Sequence, residues 1–266
     1  MQSESIHPTA IIGDSAVIGE GTRVGPYAII EDGVCVGSDC RIAASAILRK
    51  GTILGDGVSI DSFAVIGGDP QALSFDTSLK SGVRVGKGVR IREGATIHRA
   101  MMEGAETVVG DGCYLMAQSH VGHDSVVGEN VILCNAVLLG GHVEVGERAF
   151  LGGGAGVHQF CRVGSYSMMA GNSTATFDVP PYVMAAGWNS AHGLNLVGLR
   201  RASFTQDEIS DLKRCYRAVL FGGGNLKRKA AEAVAGGNCG ITVPGARFLA
   251  FFDSSKRGFI ASQRDS

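Results

Sequence analysis

Beginning at Ile6, an aliphatic side chain returns every sixth residue: Ile12, Ile18, Val24, Ile30, Val36, Ile42, Leu48, Leu54, Ile60 and Ile66. Two places before each stands a residue that is usually smaller, among them Ala10, Ala16, Thr22, Ala28, Cys40, Ala46 and Ala64. The run breaks after Ile66, resumes at Val85, Ile91 and Ile97, breaks again, and continues from Val109 to Met169. A six-residue period fits neither an amphipathic helix nor an alternating strand. It is the period of a parallel β-helix. Each hexad forms one short strand and a turn, and three hexads close a triangular coil. The aliphatic points into the prism, and glycine after it, as in "IIGDSA" and "VIGEGT", eases the turn.

Coils stack by strand hydrogen bonding at roughly 4.8 Å, so residues 18 apart lie one above another. Val121, Leu139 and Val157 therefore share a face. One place past them, Gly122, Gly140 and His158 form a column. Two places past stand His123, Gly141 and Gln159; three places past stand Asp124, His142 and Phe160. If residues 68–82 and about six residues near 99–106 leave the prism as loops, Ile66 and Ile97 join the same face. His98 then falls into the first column, and both loops depart from this side. Five of the seven histidines (His98, His120, His123, His142 and His158) converge there.

From about residue 190 the period is lost. "TQDEISDLKRCYRAVLF" has Thr205 as N-cap with Glu208 three residues on, a capping box. Ile209, Leu212, Tyr216 and Leu220 follow at helical spacing, and the "GGG" at 222–224 ends the helix. "NLKRKAAEAVAGG" and "VPGARFLAFFDSS" read as two more helices. The expected organisation is a β-helix over 1–189 and a small α-helical domain over 190–266. Arg200, Arg201, Lys213, Arg214, Lys227, Arg228 and Lys229 concentrate in this tail, either as a solvated helical face or as a docking surface for an acidic partner.

Bulk properties narrow the function. Lys+Arg number 24 and Asp+Glu 25, which argues against nucleic-acid binding by charge. No run of about 18 apolar residues spans a membrane. The start "MQSESIHPTA" has neither the basic nor the apolar region of a secretory leader. Seven cysteines without a CxxC pair fit scattered thiols in a reducing compartment. A cytoplasmic protein is expected.

The histidine face admits several chemistries. Zinc, as in β-helical carbonic anhydrases, would need three open ligands, for which His120, His123 and His142 are the candidates. His120 and His123 flank inward-pointing Val121, so both would have to swing to one ion. General-base catalysis needs less rearrangement. Histidine titrates near neutrality, and Asp124 beside His123 suits an orienting carboxylate. Gly141, stacked over His123, offers a backbone N–H unobstructed by a side chain, as an oxyanion donor requires. Base, orienter and oxyanion donor on one face point to acyl transfer. A non-catalytic β-helical scaffold remains a third possibility.

"SHVGHD", "LLGGHVEVG", "GVHQFCRVG", "DVPPYV" and "GLNLVGLRRASF" occur in order along the chain. Together they closely resemble the UDP-N-acetylglucosamine O-acyltransferases, over essentially the whole length. The resemblance implies a left-handed parallel β-helix with a helical C-terminal domain, assembled as a homotrimer with active sites between subunits. It implies transfer of a 3-hydroxyacyl chain from acyl carrier protein to the sugar 3-hydroxyl, the first step of lipid A synthesis. The acyl group arrives on phosphopantetheine, and no metal or redox cofactor is used. Carried over by motif, His123 is the base, Asp124 its partner and Gly141 the oxyanion donor. His120, His142, His158 and Gln159 line the sugar–pantetheine cleft, and His98 falls in the matching "TIHR". Asn195 and Arg201 match nucleotide contacts, where a guanidinium suits phosphate. Acetyl-CoA-dependent sugar acetyltransferases, built on the same repeat, are the alternative.

The chain departs from the family pattern in places. The first loop keeps Gln71, expected at the substrate, but has Ala72 and Ser74 where an acid and a lysine are usual. Val197 replaces a frequent Glu, and Ala202 a second Arg. Gly171 stands at the family's acyl-length ruler, where a missing side chain leaves room for a longer chain; Met168 and Met169 are placed to narrow that path.

Overall fold

The computed structural model describes residues 6–262. Residues 1–5 and 263–266, including half of the "MQSESIHPTA" segment and both chain ends of the expected domains, lie outside the described residues.

The six-residue period folds into three sheets, of nine, eight and, with the tail's strands included, eleven strands, in which each strand of the repeat pairs in parallel with the strand three hexads away. Eight intervals along the nine-strand sheet span about 38 Å at strand spacing. The repeating aliphatics form one continuous column of core: Ile30, Leu48, Ile66, Ile97, Val121 and Leu139 are all fully buried. Their smaller companions Ala28, Ala46, Ala64 and Ala95 fill the corners and are equally buried. Ile12 and Ile18, near the N-terminal end of the prism, are only partly covered because no coil of the described residues lies beneath them.

The two excursions leave from the nine-strand face; the first is shorter than expected, and the second falls within the expected 99–106. Gly68 pairs with His98 across a bulge, and Gly82 pairs with Glu106. These end residues belong to strands, so the loops run over 69–81 and 99–105. Setting aside 13 residues at the first and six at the second restores the 18-residue register: Ile66 pairs with Ile97, and Ile97 with Val121.

Residues 190–194, expected to open the helical region, instead form a strand, Ser190–Leu194, antiparallel to Val183–Ala186. Ala261–Ser262 returns to pair beside it. The tail thereby extends the eleven-strand sheet, whose last edge would otherwise present unpaired N–H and C=O groups. Four helices follow: α1 (Leu196–Arg201), α2 (Gln206–Leu220), α3 (Leu226–Gly236) and α4 (Val243–Ala250). Helix α2 carries both halves of the Thr205–Glu208 capping box, and Ile209, Leu212, Tyr216 and Leu220 are buried along one side. Helix α1 has no apolar periodicity long enough to announce it. Fully buried Asp178 joins tail to prism: it accepts from the Arg162 backbone N–H (2.8 Å) and Nε (2.9 Å), while that guanidinium lies 4.2 Å over the Phe251 ring.

Candidate active site

A cleft of 820 Å³ opens on the nine-strand face, where the stacked columns place it. Gln71, His98, His120, His123, Gly141, His158 and Gln159 all line it. The loop discount thus brings residues from 71 to 159 to one surface.

At its centre, His123 Nδ1 lies 2.7 Å from Asp124 Oδ2. An ionised carboxylate only accepts, so Nδ1 carries the proton and Nε2 is left as the acceptor. The carboxylate is itself braced. Asp124 Oδ2 accepts from the Met101 backbone N–H at 3.1 Å, and the Asp124 N–H donates to buried Thr107 Oγ1 at 2.8 Å. The second loop therefore helps fix the orienter. One layer above, the His123 ring occupies the space that a Gly141 side chain would take: a Cβ there would lie 2.4 Å from Cε1 and 2.5 Å from Nε2. The Gly141 N–H has no hydrogen-bond partner among the described residues. An imidazole acceptor and an unpaired amide thus meet at one point of the cleft.

His120 points to the same cleft, with Nδ1 2.8 Å from Thr96 Oγ1. His98 meets it edge to face at 4.6 Å. Burial pushes the His98 pKa down to about 4, helped by repulsion from His120 and His123 and opposed by Asp69. His98 is thus neutral at physiological pH. Its folded value lies below the unfolded 6.5, so the unfolded chain binds more protons between pH 6.5 and about 4. Stability is expected to fall as pH is lowered through that window. Denaturant titrations across it should show a flatter profile for His98→Gln, which cannot take up the proton.

Several expected site residues lie elsewhere. His142 is absent from the cleft lining. It stacks on Phe160 at 4.5 Å, meets His123 edge-on at 5.1 Å, and holds Nε2 3.8 Å from Asp124 Oδ2. The cause is backbone conformation. Asp124, His142 and Phe160 adopt positive φ of 58°, 58° and 65° at the turn that follows each strand, which sets this column beside the cleft-lining one. The zinc triad of His120, His123 and His142 accordingly does not assemble. Among the described residues the one metal-capable group is His123, Asp124 and His142.

Asn195 and Arg201 line a separate cavity of 540 Å³ beside the eleven-strand face, with Arg148, Phe150, Tyr166 and Met168. Asn195 is engaged at both ends of its amide: it caps α1 by accepting from Gly198 N–H (3.0 Å) and donates to Tyr166 O (2.9 Å). Gly171 stacks on Gly153, whose carbonyl would lie 3.3 Å from an added Cβ, and lines neither cavity. Met169 is fully buried in the prism and cannot narrow a path on the surface; Met168 lines the second cavity. Of the departures, Ala72 and Ser74 sit on the first loop, Val197 is 58 % exposed, and Ala202 is the C-cap of α1.

Sequence reasoning missed Thr96, Thr107, Met101 and Trp188. Thr96 pairs in register with His120, which becomes visible once the loop is removed from the count. Met101 lies inside that loop, where no period operates. Exposed Trp188 reaches the C-terminal end of the cleft after the repeat has ended.

Comparison with known proteins bears directly on this geometry. The hexapeptide-transferase repeat profile matches residues 15–50 and 106–141. The profile of UDP N-acetylglucosamine O-acyltransferase, domain 2, matches 178–260. An acyl-[acyl-carrier-protein]–UDP-N-acetylglucosamine O-acyltransferase from Sinorhizobium fredii is 42% identical, covering 87% of this chain and 86% of that protein. The chain belongs to the UDP-N-acetylglucosamine O-acyltransferase family. A second such relative, from Campylobacter concisus, is 38% identical over 87% of this chain and 89% of its own length. Solved structures agree. UDP-N-acetylglucosamine acyltransferase from Campylobacter jejuni superposes with a TM-score of 0.89 at 34% identity, covering 97% of this chain and 100% of the other. The Francisella novicida enzyme gives 0.91 at 30% identity, with 97% and 95% covered. Such likeness assigns this member of the UDP-N-acetylglucosamine O-acyltransferase family to the left-handed β-helix fold that the sequence motifs implied.

Proposed function

We propose that this chain transfers a 3-hydroxyacyl group from acyl carrier protein to the 3-hydroxyl of UDP-N-acetylglucosamine, beginning lipid A synthesis, with His123 as general base. The observation that carries the assignment of roles is the His123 ring, bonded to Asp124 and packed against Gly141. His123 Nε2 takes the proton of the sugar hydroxyl as that oxygen attacks the thioester carbonyl carbon. The carbonyl electron pair moves to oxygen, where the Gly141 N–H receives the charge. Collapse of the tetrahedral intermediate breaks the C–S bond, and His123 returns its proton to the pantetheine sulfur. Asp124 keeps the imidazole in the required tautomer and stabilises the imidazolium.

Along the prism, Gln71 and His98 stand on one side of His123, His120 stands in its own coil across Val121, and Gly141, His158 and Gln159 stand on the other side. The acceptor fits the former side and the thioester arm the latter. Arg201 and Asn195 lie on another prism face, so a nucleotide in the cleft meets them only if a neighbouring copy supplies them. A homotrimer with shared sites satisfies that requirement. His142 acts beside His123, on the Asp124 carboxylate. Gly171 keeps a role in chain length only as part of such a shared wall.

For the acidic carrier protein, Arg200, Lys213 and Lys227 are the docking cations of the tail, with Arg201 left to the nucleotide. Arg214, Arg228 and Lys229 already donate to groups of the tail itself. The reading places the reaction in the cytoplasm without metal or redox cofactor. Seven free cysteines suit a reducing compartment, and no helix among the described residues is long and apolar enough to cross a membrane.

Incubating chelator-treated protein with 3-hydroxyacyl carrier protein and UDP-N-acetylglucosamine should yield the acylated nucleotide sugar. Acetyl-CoA should yield none. Acetylation in place of carrier-dependent transfer would move the chain to the acetyltransferase alternative, and dependence on added zinc would reopen the metal reading.

A further inference from the structure

The first loop, 69–81, carries Gln71 into the cleft yet has little to hold its own shape. Its internal hydrogen bonds are few: Phe75 N–H to Ala72 O (3.0 Å), Leu79 N–H to Asp76 O (3.3 Å), and Ser78 to the Asp76 carboxylate. Most of its side chains are exposed. Exposed segments with few internal bonds open locally at low free energy.

The loop's last two residues are tied to the second loop, where Lys80 N–H donates to Glu103 Oε2 (2.7 Å), Lys80 O accepts from Gly104 N–H (2.8 Å) and Ser81 Oγ donates to Ala100 O (2.5 Å), and one side chain from outside reaches the rest. Arg99 follows His98 directly, and its backbone N–H bonds Gly68 O at 2.9 Å. Its side chain is only 11% exposed. Nε donates to Asp69 Oδ1 (2.7 Å), Nη1 to the Leu79 carbonyl and Ser81 Oγ (3.3 Å), and Nη2 to the Thr77 carbonyl (3.0 Å). The guanidinium carbon also lies 4.7 Å over the Phe75 ring. One planar cation thus reaches both ends and the middle of the loop. Only an Arg fork donates in this many fixed directions; a Lys ammonium has three donors on a single point charge.

We infer that Arg99 is a positioning residue for the acceptor, holding loop 69–81 in the form that presents Gln71 beside His98. The inference rests on the acceptor side of the cleft having been assigned correctly. Arg99 touches no reacting atom. The dipeptide His98–Arg99 couples two surfaces instead: the imidazole faces the cleft and the guanidinium grips the loop. If the clamp is weakened, only a fraction of molecules hold the loop ready, and the apparent affinity for the acceptor falls by that fraction. Chemistry in the molecules that do bind is unaffected.

The test uses the full-length protein and variants Arg99→Lys, Asp69→Asn, Gln71→Ala and the Gln71→Ala/Arg99→Lys pair. Arg99→Lys should raise KM for UDP-N-acetylglucosamine by about tenfold or more. Its kcat should stay within about threefold, and KM for the acyl carrier protein should be unchanged. The double variant should cost no more than the worse single, because both act through one contact. Trypsin should cut after Lys80 faster in Arg99→Lys than in the wild type, without any substrate present. Should Arg99→Lys not fold, Asp69→Asn, at a half-exposed carboxylate, carries the same readouts with a smaller shift. Wild-type acceptor KM with wild-type cleavage overturns the inference. So does an equal rise in both KM values, which marks a merely structural role. A wild-type protein that acylates no UDP-sugar defeats the proposed reaction, while the cleavage rates still judge the clamp.

Discussion

His123→Ala is expected to lower kcat by at least about 10², and by up to about 10⁴, which is the range for a positioned general base. The fold should survive. His123 sits at a turn outside the buried column of Val121 and Leu139, and Gly141 above it simply gains open space. KM for both substrates should change little, because the lost interaction forms at the reacting proton rather than in the ground state. Steady-state kinetics beside far-ultraviolet circular dichroism and size measurement would separate chemistry from folding. A variant with wild-type kcat would remove His123 as the base.

Gly141→Ala should be nearly as damaging, for a different reason. The new methyl would lie 2.4 Å from His123 Cε1 and 2.5 Å from Nε2, so the ring has to move. A ring can swing, so the fold pays little and thermal stability should stay near that of the wild type. The catalytic cost is large, because the swing stretches the 2.7 Å contact with Asp124 and misaligns Nε2. A displacement near 1 Å costs about 10² in rate. Gly122→Ala provides the contrast. Its Cβ would meet backbone of the next coil, 2.7 Å from Gly140 C and 2.8 Å from Gly141 N, so there the fold itself should suffer. A stable Gly141→Ala protein with full activity would show that the imidazole and this amide do not act together.

Register was legible because the chain is a lattice. A hydrogen-bonded strand every third hexad makes height along the prism a count of residues, so Gly141 over His123 follows from arithmetic, and His98 joins their face once two loops are removed. The corner conformations were not legible. Positive φ falls on residues as unlike as Tyr27, Asp39, Ser45, Phe63 and His142. No residue type announces it, so the placing of His142 beside the cleft lining had no signal. The strand at 190–194 escaped for a related reason: its partner, Val183–Ala186, runs antiparallel to it and outside the repeat. Arg99 was visible only as the fourth letter of "TIHR". Its five partners lie in an aperiodic loop 18 to 30 residues away.

The amino-acid order alone determined the winding, the inward aliphatics and the gathering of His98, His120, His123 and His158 on one side, because a periodic backbone lattice converts spacing into position. Only the folded molecule decided which nitrogen of His123 is free, that His98 stays neutral, that Met101 and Thr107 brace Asp124, and that Asn195 and Arg201 stand on another face. Those outcomes depend on side-chain packing and loop contacts between segments that share no period, and such contacts exist only once the chain has closed on itself.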